Sequence, residues 1–523
     1  MYCLHKRIFL YCLCICALVA CFTPLQVQAE TPDAQDITNS VTFDGSAYND
    51  FSFLSDKNIA KYYKAATDGK ITIDSPAGMG SLYMLFDLEY NGYTITDNET
   101  GNTVELGQHS FLHEFIDLIS IFGKIVTSLT ISFHGDSVAI SEIYVFSPGI
   151  VPSFVQKWSA PLEAKTDIIL FSTHADDDQL FFAGLLPLYA GARNYDVQVV
   201  YMTDHRNLTK ARTHELLNGL WAVGVRAYPV WGSFADFRID DMEKTYQRYE
   251  SYHNSREQLL EFVVTQLRRF RPQVAIGHDI AGEYGHGMHM VYTDLLIKAL
   301  EVSHDPSAFP DLTAKYGTWD VPKTYLHLYG ENPIVLDYDK PLDRWNGMSA
   351  FEVSQKLGYP CHKSQQYTWF TQWINGKNNE ITQASQIATY NPCHFGLYRS
   401  LVGPDIEKND FMENITSYTE QARIEEEKRI EEERRKEQER LEQERLEEEK
   451  RKQEEERRKQ EEQKRIEAEK AAQEALRQQL EREKAQKAAQ RQKMTILCGF
   501  IALLTVLIGI LVILLKKIYK QKK

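Results

Sequence analysis

The sequence predicts a multidomain protein: a β-sandwich, a parallel α/β domain, a long single-helix stalk and one transmembrane helix. Three observations carry this. Between residues 43 and 150, short β-rich runs alternate with turn residues. From 160 to 415, apolar strand-like runs alternate with helical patterns, which indicates parallel strands joined by helices. From 418 the chain becomes charged and of low complexity, and 495–515 is then a run of 21 residues without a charge.

In chain order, residues 1–29 read as a secretory signal peptide. Lys6 and Arg7 supply a charged start, and 8–20 is apolar but shorter than the ~20 residues that a bilayer needs. Val27-Gln28-Ala29 offers a small-residue cleavage site. Leu18-Val19-Ala20-Cys21 offers the rival reading of a lipoprotein signal; cleavage after Ala29 is preferred because the C-terminus already supplies an anchor. In the β-sandwich, strands are expected at 71–74, 81–86, 129–133 and 143–146, with turns at Gly69, Asn91-Gly92, Asn98 and Gly135-Asp136. The linker 151–164 contains Pro152 and Pro161.

Strands of the α/β domain are expected at 168–171, 197–202, 228–231 and 273–277, and helices at 180–190, 210–223 and 255–269. The last has Leu259, Leu260, Phe262, Val263 and Leu267 at helical spacing. Residues 325–329 and 334–338 read as a further strand pair. Residues 351–373 read as mostly helical, with His362 and Lys363 as solvated polar side chains. In 418–493 Glu repeatedly precedes Lys or Arg by four positions, each pair adding ~0.2–0.5 kcal/mol to an isolated helix. Ile424, Ile430, Leu441, Leu446 and Ile466 are too sparse for a coiled-coil seam. A solitary helix of roughly 110 Å is expected, with a weak coiled coil towards 471–480 as the alternative. Lys516, Lys517, Lys520, Lys522 and Lys523 follow the apolar run, so 516–523 is expected in the cytoplasm and the N-terminal domains outside the cell membrane.

The net charge of −14 is uneven. Residues 421–493 hold 23 Glu against 23 Lys and Arg, whereas 30–420 carries −21. Such an acidic domain argues against a nucleic-acid partner. Of eight cysteines, only Cys361 and Cys393 fall in the folded part. One disulfide and two free thiols are equally compatible with the spacing.

The chemistry concentrates at 168–180, I-I-L-F-S-T-H-A-D-D-D-Q-L. A buried parallel strand ends in His174, Asp176, Asp177 and Asp178, and open α/β sheets bind ligands at the carboxyl ends of their strands. Zinc takes imidazole nitrogen and carboxylate oxygen, and His174 and Asp177 are spaced to face one ion. Asp176 is then free to act as a general base on water acidified by the metal. A third ligand must come from elsewhere, and G-E-Y-G-H-G-M-H at 282–289, after the fourth strand, brings His286 and His289 to the same sheet edge.

These residues carry a resemblance. T-H-A-D-D-D-Q-L-F-F-A-G resembles the A-H-P-D-D-E motif of the PIG-L/LmbE family of zinc-dependent N-deacetylases, and G-E-Y-G-H-G-M-H resembles its Y-G-H-P-D-H motif. Arg212-Thr-His-Glu215, followed by Ala222-Val-Gly-Val, resembles the family's R-x-x-E and L-G-V helix. The resemblance implies a Rossmann-like fold and removal of acetyl groups from N-acetylglucosamine-type sugars. It implies Zn2+ on His174, Asp177 and His289, Asp176 as general base, His286 at the oxyanion or the leaving amine, and Tyr284 assisting at the oxyanion. Ala175 and Gly287 each replace a proline, Asp178 a glutamate, and Met288 the aspartate of H-P-D-H. If that aspartate orients His286 in relatives, Glu283 is one substitute. The end of the β-sandwich, V-A-I-S-E-I-Y-V-F, resembles galactose-binding-like (discoidin-type) domains, which implies glycan binding; a packing domain without a ligand is the even alternative. Two functions therefore stand: a surface-anchored deacetylase of N-acetylated glycans, or a catalytically impaired glycan-binding adhesion protein, which Met288 favours.

Overall fold

The computed structural model describes residues 32–45, 48–109, 111–135, 137–205, 210–365, 372, 374 and 380–521. The signal peptide read at 1–29 lies outside them. The chain divides into one unit ending at Arg423 and a second beginning at Ile424.

The first unit opens with nine strands: β1 (Thr42–Gly45), β2 (Tyr63–Lys64), β3 (Lys70–Met79), β4 (Ser81–Phe86), β5 (Tyr93–Asp97), β6 (Thr103–Leu106), β7 (His113–Asp117), β8 (Val126–Phe133) and β9 (Ala139–Phe146). They form two antiparallel sheets, β1-β3-β8-β5-β6 and β2-β9-β4-β7. Alternate residues such as Ile71, Ile73, Ile95, Leu129 and Ile131 point into a core shared by both sheets. Every residue of β4 is buried. Leu82, Met84 and Phe86 face that core, while Tyr83 and Leu85 pack on the opposite side with Phe146 and Val155.

Seven further strands build one mixed sheet: β10 (Ile168–Ser172), β11 (Val197–Thr203), β12 (Val230–Phe234), β13 (Val274–Gly277), β14 (Lys323–His327), β15 (Pro333–Val335) and β16 (His394–Ser400). Their spatial order is β12-β11-β10-β13-β14-β16-β15. Pairs from β12 to β14 are parallel, and β16 runs antiparallel to both β14 and β15. The apolar run of β10 is continuous because both faces are covered: Ile168 and Leu170 enter one core, Ile169 and Phe171 the other. The strand order reverses between β10 and β13, and the two polar motifs follow these neighbouring strands.

Three expectations need correction. The strands near 325 and 334 do not pair with each other; each pairs with β16, which the sequence reading missed. The 180–190 helix is broken: helix Asp177–Leu180 gives way to Gly184 at φ 93°, where any Cβ would lie 2.6 Å from the Tyr338 ring, and a wider helical turn resumes at Pro187–Ala192. The part of 351–373 described as far as Gln365 is helical in short pieces of different pitch, not in one regular helix. Ala350–Val353 passes into short, irregular turns through Gln365, and His362 is fully buried rather than solvated. Cys361 and Cys393 are free thiols.

Stalk and apolar run form one continuous helix, Tyr418–Lys520, 103 residues long, whose residues from Ile424 onwards make up the second unit. Ion pairs at helical spacing decorate its polar part, such as Glu432–Lys436 at 2.7 Å and Glu448–Lys452 at 2.8 Å. Its apolar end is long and apolar enough to cross a membrane.

Candidate metal centre and active site

The loop after β10 is folded by its own carboxylate. Asp177 Oδ2 accepts the His174 backbone N–H at 2.8 Å and lies 2.9 Å from His174 Nδ1. The loop after β13 is a strained turn, with Gly282, Tyr284 and Gly285 all at positive φ (68°, 49° and 74°). It ends at His286, which caps the helix Gly287–Val302, so that His289 sits on the first turn facing the β10 loop. His289 Nε2 is 3.1 Å from His174 Nδ1 and 3.2 Å from Asp177 Oδ2.

The proton positions follow from the partners. Glu283 is fully buried. Its Oε2 accepts from His289 Nδ1 at 2.7 Å and from His278 Nδ1 at 2.8 Å, and its Oε1 lies 2.7 Å from His327 Nδ1. Burial opposes its charge, but His278 and the other two histidines hold its carboxyl well below the usual range. With its Nδ1 proton on Glu283, His289 turns Nε2 towards His174 and Asp177, and that atom can ligate an ion once its own proton has left. His174 Nε2 faces Asp236 Oδ1 at 3.4 Å, which leaves Nδ1 as its inward atom. Two imidazole nitrogens and a carboxylate oxygen therefore converge within 2.9–3.2 Å of one another. Atoms this close need a proton between each pair, and a metal cation can take the place of those protons. Burial disfavours charge on both histidines, yet Asp236 and Asp177 push His174 up to about 10, and Asp177 with Glu283 pushes His289 up to about 9. This donor set suits a divalent ion that accepts nitrogen and oxygen. His174, His286 and His289, and likewise Asp177, His278 and His289, place ligand atoms within 4.8 Å of one another.

Asp176 stands beside this group. Its Oδ1 accepts from Arg212 Nη2 at 2.9 Å. Burial raises the Asp176 pKa, Arg212 pulls against it and Asp177 adds to the rise. Arg212 also lies 3.7 Å from Asp236. Glu215, one turn further along the helix Lys210–Ala222, accepts from Ser364 N and Oγ and so anchors the 363–365 turn. His286 Nδ1 accepts the Met288 backbone N–H at 3.2 Å, which puts its proton on Nε2. Burial, with His174 and His289 nearby, pushes His286 down to about 2, so it stays neutral. Tyr284 is 36% exposed, with its ring 5.3 Å from that of His286.

All six residues singled out for the site thus lie around one point. The expectation that Glu283 orients His286 is corrected: Glu283 holds His289, and the helix N-terminus holds His286. Sequence reasoning missed Asp236, His205, His278 and His327. The first three follow the ends of β12, β11 and β13, so position at a strand's carboxyl end was the available signal. His205 Nε2 lies 2.8 Å from Thr203 Oγ1 and accepts Ala175 N–H at 3.3 Å.

Residues 169–300 match the family described as PIG-L, GlcNAc-PI de-N-acetylase, and the chain carries a PIG-L domain there. A relative from Catenulispora acidiphila, named 1D-myo-inositol 2-acetamido-2-deoxy-alpha-D-glucopyranoside deacetylase 1, is 31% identical over 121 residues, which are 23% of this chain and 36% of the relative. A protein of the same name from Frankia casuarinae is 26% identical over 33% of this chain and 61% of its own length. The chain thus spans less than two thirds of these relatives. Among solved structures, the N,N'-diacetylchitobiose deacetylase from Pyrococcus horikoshii is 16% identical, with a TM-score of 0.33 over 45% of this chain and 84% of its own.

Proposed function

We propose that this chain is a metal-dependent N-deacetylase that hydrolyses the acetamide of N-acetylglucosamine-type glycans at the cell surface. Its apolar helix serves as the membrane anchor, with the lysine-rich end inside. The first strand-rich region, read as a galactose-binding-like β-sandwich, serves as a glycan-binding accessory. The convergence of His174 Nδ1, Asp177 Oδ2 and His289 Nε2 beside Asp176 is the observation that carries the reading.

A zinc ion held by these three atoms would polarise the acetamide carbonyl and supply water acidic enough to attack near neutral pH. The chain's own side chains do the rest. Asp176 takes the proton of the attacking water, and Arg212 fixes the carboxylate that receives it. Its raised pKa lets Asp176 keep that proton and pass it to the departing amine. The Nε2–H of neutral His286 and the Tyr284 hydroxyl line the place where the carbonyl oxygen gains charge. Met288 does not disable His286, because its backbone N–H sets the tautomer.

The test is Asp176→Asn on N-acetylglucosamine oligosaccharides. Hydrolysis is expected to fall about 100-fold or more while metal content stays unchanged. Full activity with metal retained would end the general-base role.

A further inference from the structure

A cavity of about 950 Å³ lies between the first strand-rich region and the α/β domain. An adjoining cavity of about 590 Å³ shares Ser153, Trp221 and Arg226 with it. The catalytic pocket is elsewhere. The helix Lys210–Ala222 carries Arg212 near its start, bonded to Asp176, whereas Asn218, Trp221 and Ala222 near its end line the cavity. Trp221 lies nine positions after Arg212 on this helix, roughly 14 Å along the axis.

The cavity has an unusual balance of charge. Residues 30–420 carry −21, yet its walls present Lys57, Arg226, Arg344, Lys356 and Lys363 against one carboxyl group, Glu142. Lys356 is paired with Glu352, and Lys57 is 3.9 Å from Asp36. Arg226, Arg344 and Lys363 have no carboxylate within salt-bridge distance among the described residues. Arg226 is held flat on Trp221, 3.7 Å from the ring centroid, by bonds from Nη1 to the Trp221 and Val225 carbonyls. Arg344 is fixed by a 2.6 Å bond from Nη1 to the Gly191 carbonyl. Burial, with Arg344 beside it, pushes Arg226 down to about 10. The fold thus holds two like charges together in place without a counter-charge, which suits an anion from outside.

Two further features specify the ligand. Glu142 is 2% exposed, lines the cavity and has an Oε1 atom with no hydrogen-bond partner among the described residues. Burial, with the Asp56 carboxyl beside it, pushes Glu142 up to about 7, so near neutral pH it adds little negative charge to the cavity wall. Tyr144, Phe154, Trp221 and Trp345 supply aromatic faces on both walls, and such faces pack against flat, partly apolar rings that carry polar edges.

We propose that this interdomain cleft is a second carbohydrate-binding site, separate from the catalytic pocket, which takes a saccharide bearing negative charge as carboxylate or sulfate ester. The aromatic walls hold the sugar rings, and Arg226 and Arg344 hold the anion.

The test uses the full chain in detergent and three probes without an acetamide, so its outcome is independent of the deacetylase reading. Oligogalacturonate supplies carboxylates, dextran sulfate supplies sulfates and cellohexaose is neutral. Oligogalacturonate is expected to bind at least about tenfold more tightly than cellohexaose and to weaken steeply with added salt. Exchanging one exposed lysine on each wall, Lys57→Glu with Lys363→Glu, is expected to cost about tenfold more, whereas Lys57→Arg with Lys363→Arg keeps the binding. The same pattern with dextran sulfate alone supports the site and assigns the charge to a sulfate ester. Equal binding of all three probes, or anion binding that ignores both salt and the charge reversal, would overturn the proposal. The salt dependence of the unaltered chain decides the matter even if the charge-reversed variant fails to fold.

Discussion

At the scale of single residues, the site depends on Glu283. This carboxylate fixes the tautomer of His289 and braces His278 and His327 behind it. Glu283→Gln would leave one oxygen and place an amide N–H against an imidazole N–H. His289 would then gain a reason to protonate Nε2, the atom that faces His174 and Asp177. Divalent-metal affinity is expected to fall about 10- to 100-fold, measured by competition with a chelator while the circular dichroism spectrum stays unchanged. An unaltered affinity would contradict the orienting role. This network was not legible in the sequence. Glu283 reaches His327 across 44 residues, and no local spacing announces a contact of that kind. Asp236 and His205 follow the carboxyl ends of strands, but that position alone, without a dense motif around it, does not single them out from other loop residues. His174, Asp177 and His289 were legible because each belongs to a dense polar motif placed directly after an apolar strand.

At the scale of elements, the structure gives a physical reason for the absence of proline at Ala175 and Gly287. Ala175 donates its N–H to His205, which proline could not do. Gly287 donates to the Ile239 carbonyl at 2.7 Å. A Cβ at Gly287 would lie 2.2 Å from Thr245 Oγ1 and 2.6 Å from Ile239 O. Gly287→Pro would lose the hydrogen bond and force that clash, so it is expected to destabilise the fold by about 2–4 kcal/mol. A clear drop in the thermal unfolding midpoint would show this; an unchanged midpoint would contradict it. The same logic explains which elements could be read. β10, β11 and β13 announce themselves because cores on both faces demand continuous apolar residues. β16 does not: its sequence, H-F-G-L-Y-R-S, has neither an apolar run nor alternation, and Gly396 is required where a Cβ would lie 2.3 Å from Tyr329 O. The region after 350 misled because its apolar residues keep helical spacing while Gly358 and Pro360 break the helix.

At the scale of the whole molecule, the seam between the strand-rich region and the α/β domain contains a buried pair. His113 Nε2 lies 2.7 Å from His214 Nδ1, and His113 Nδ1 lies 2.8 Å from the Tyr83 hydroxyl. Burial, with His214 opposite, holds His113 well below its ordinary 6.5. Below about pH 6.5 the unfolded chain therefore takes up a proton that the folded chain refuses, and stability falls as pH falls. Glu114 and Glu142, both pushed up to about 7, act in the opposite sense by gaining stability on acidification. The difference between the unaltered chain and His113→Gln isolates the seam. Between pH 7.5 and 5.5, the unaltered chain is expected to lose more unfolding free energy than the variant in denaturant titrations. Equal losses would contradict the role of His113. The sequence shows neither this seam nor the fusion of stalk and apolar run into one helix, since both depend on how separately readable segments meet.

The account rests on one divalent ion held by residues from two motifs more than a hundred positions apart. Elemental analysis of the purified full chain, of Asp176→Asn and of His289→Ala tests it most directly. About one ion per chain is predicted for the first two and essentially none for the third. A His289→Ala protein that keeps its ion, or an unaltered chain that binds none when zinc is supplied, would contradict it.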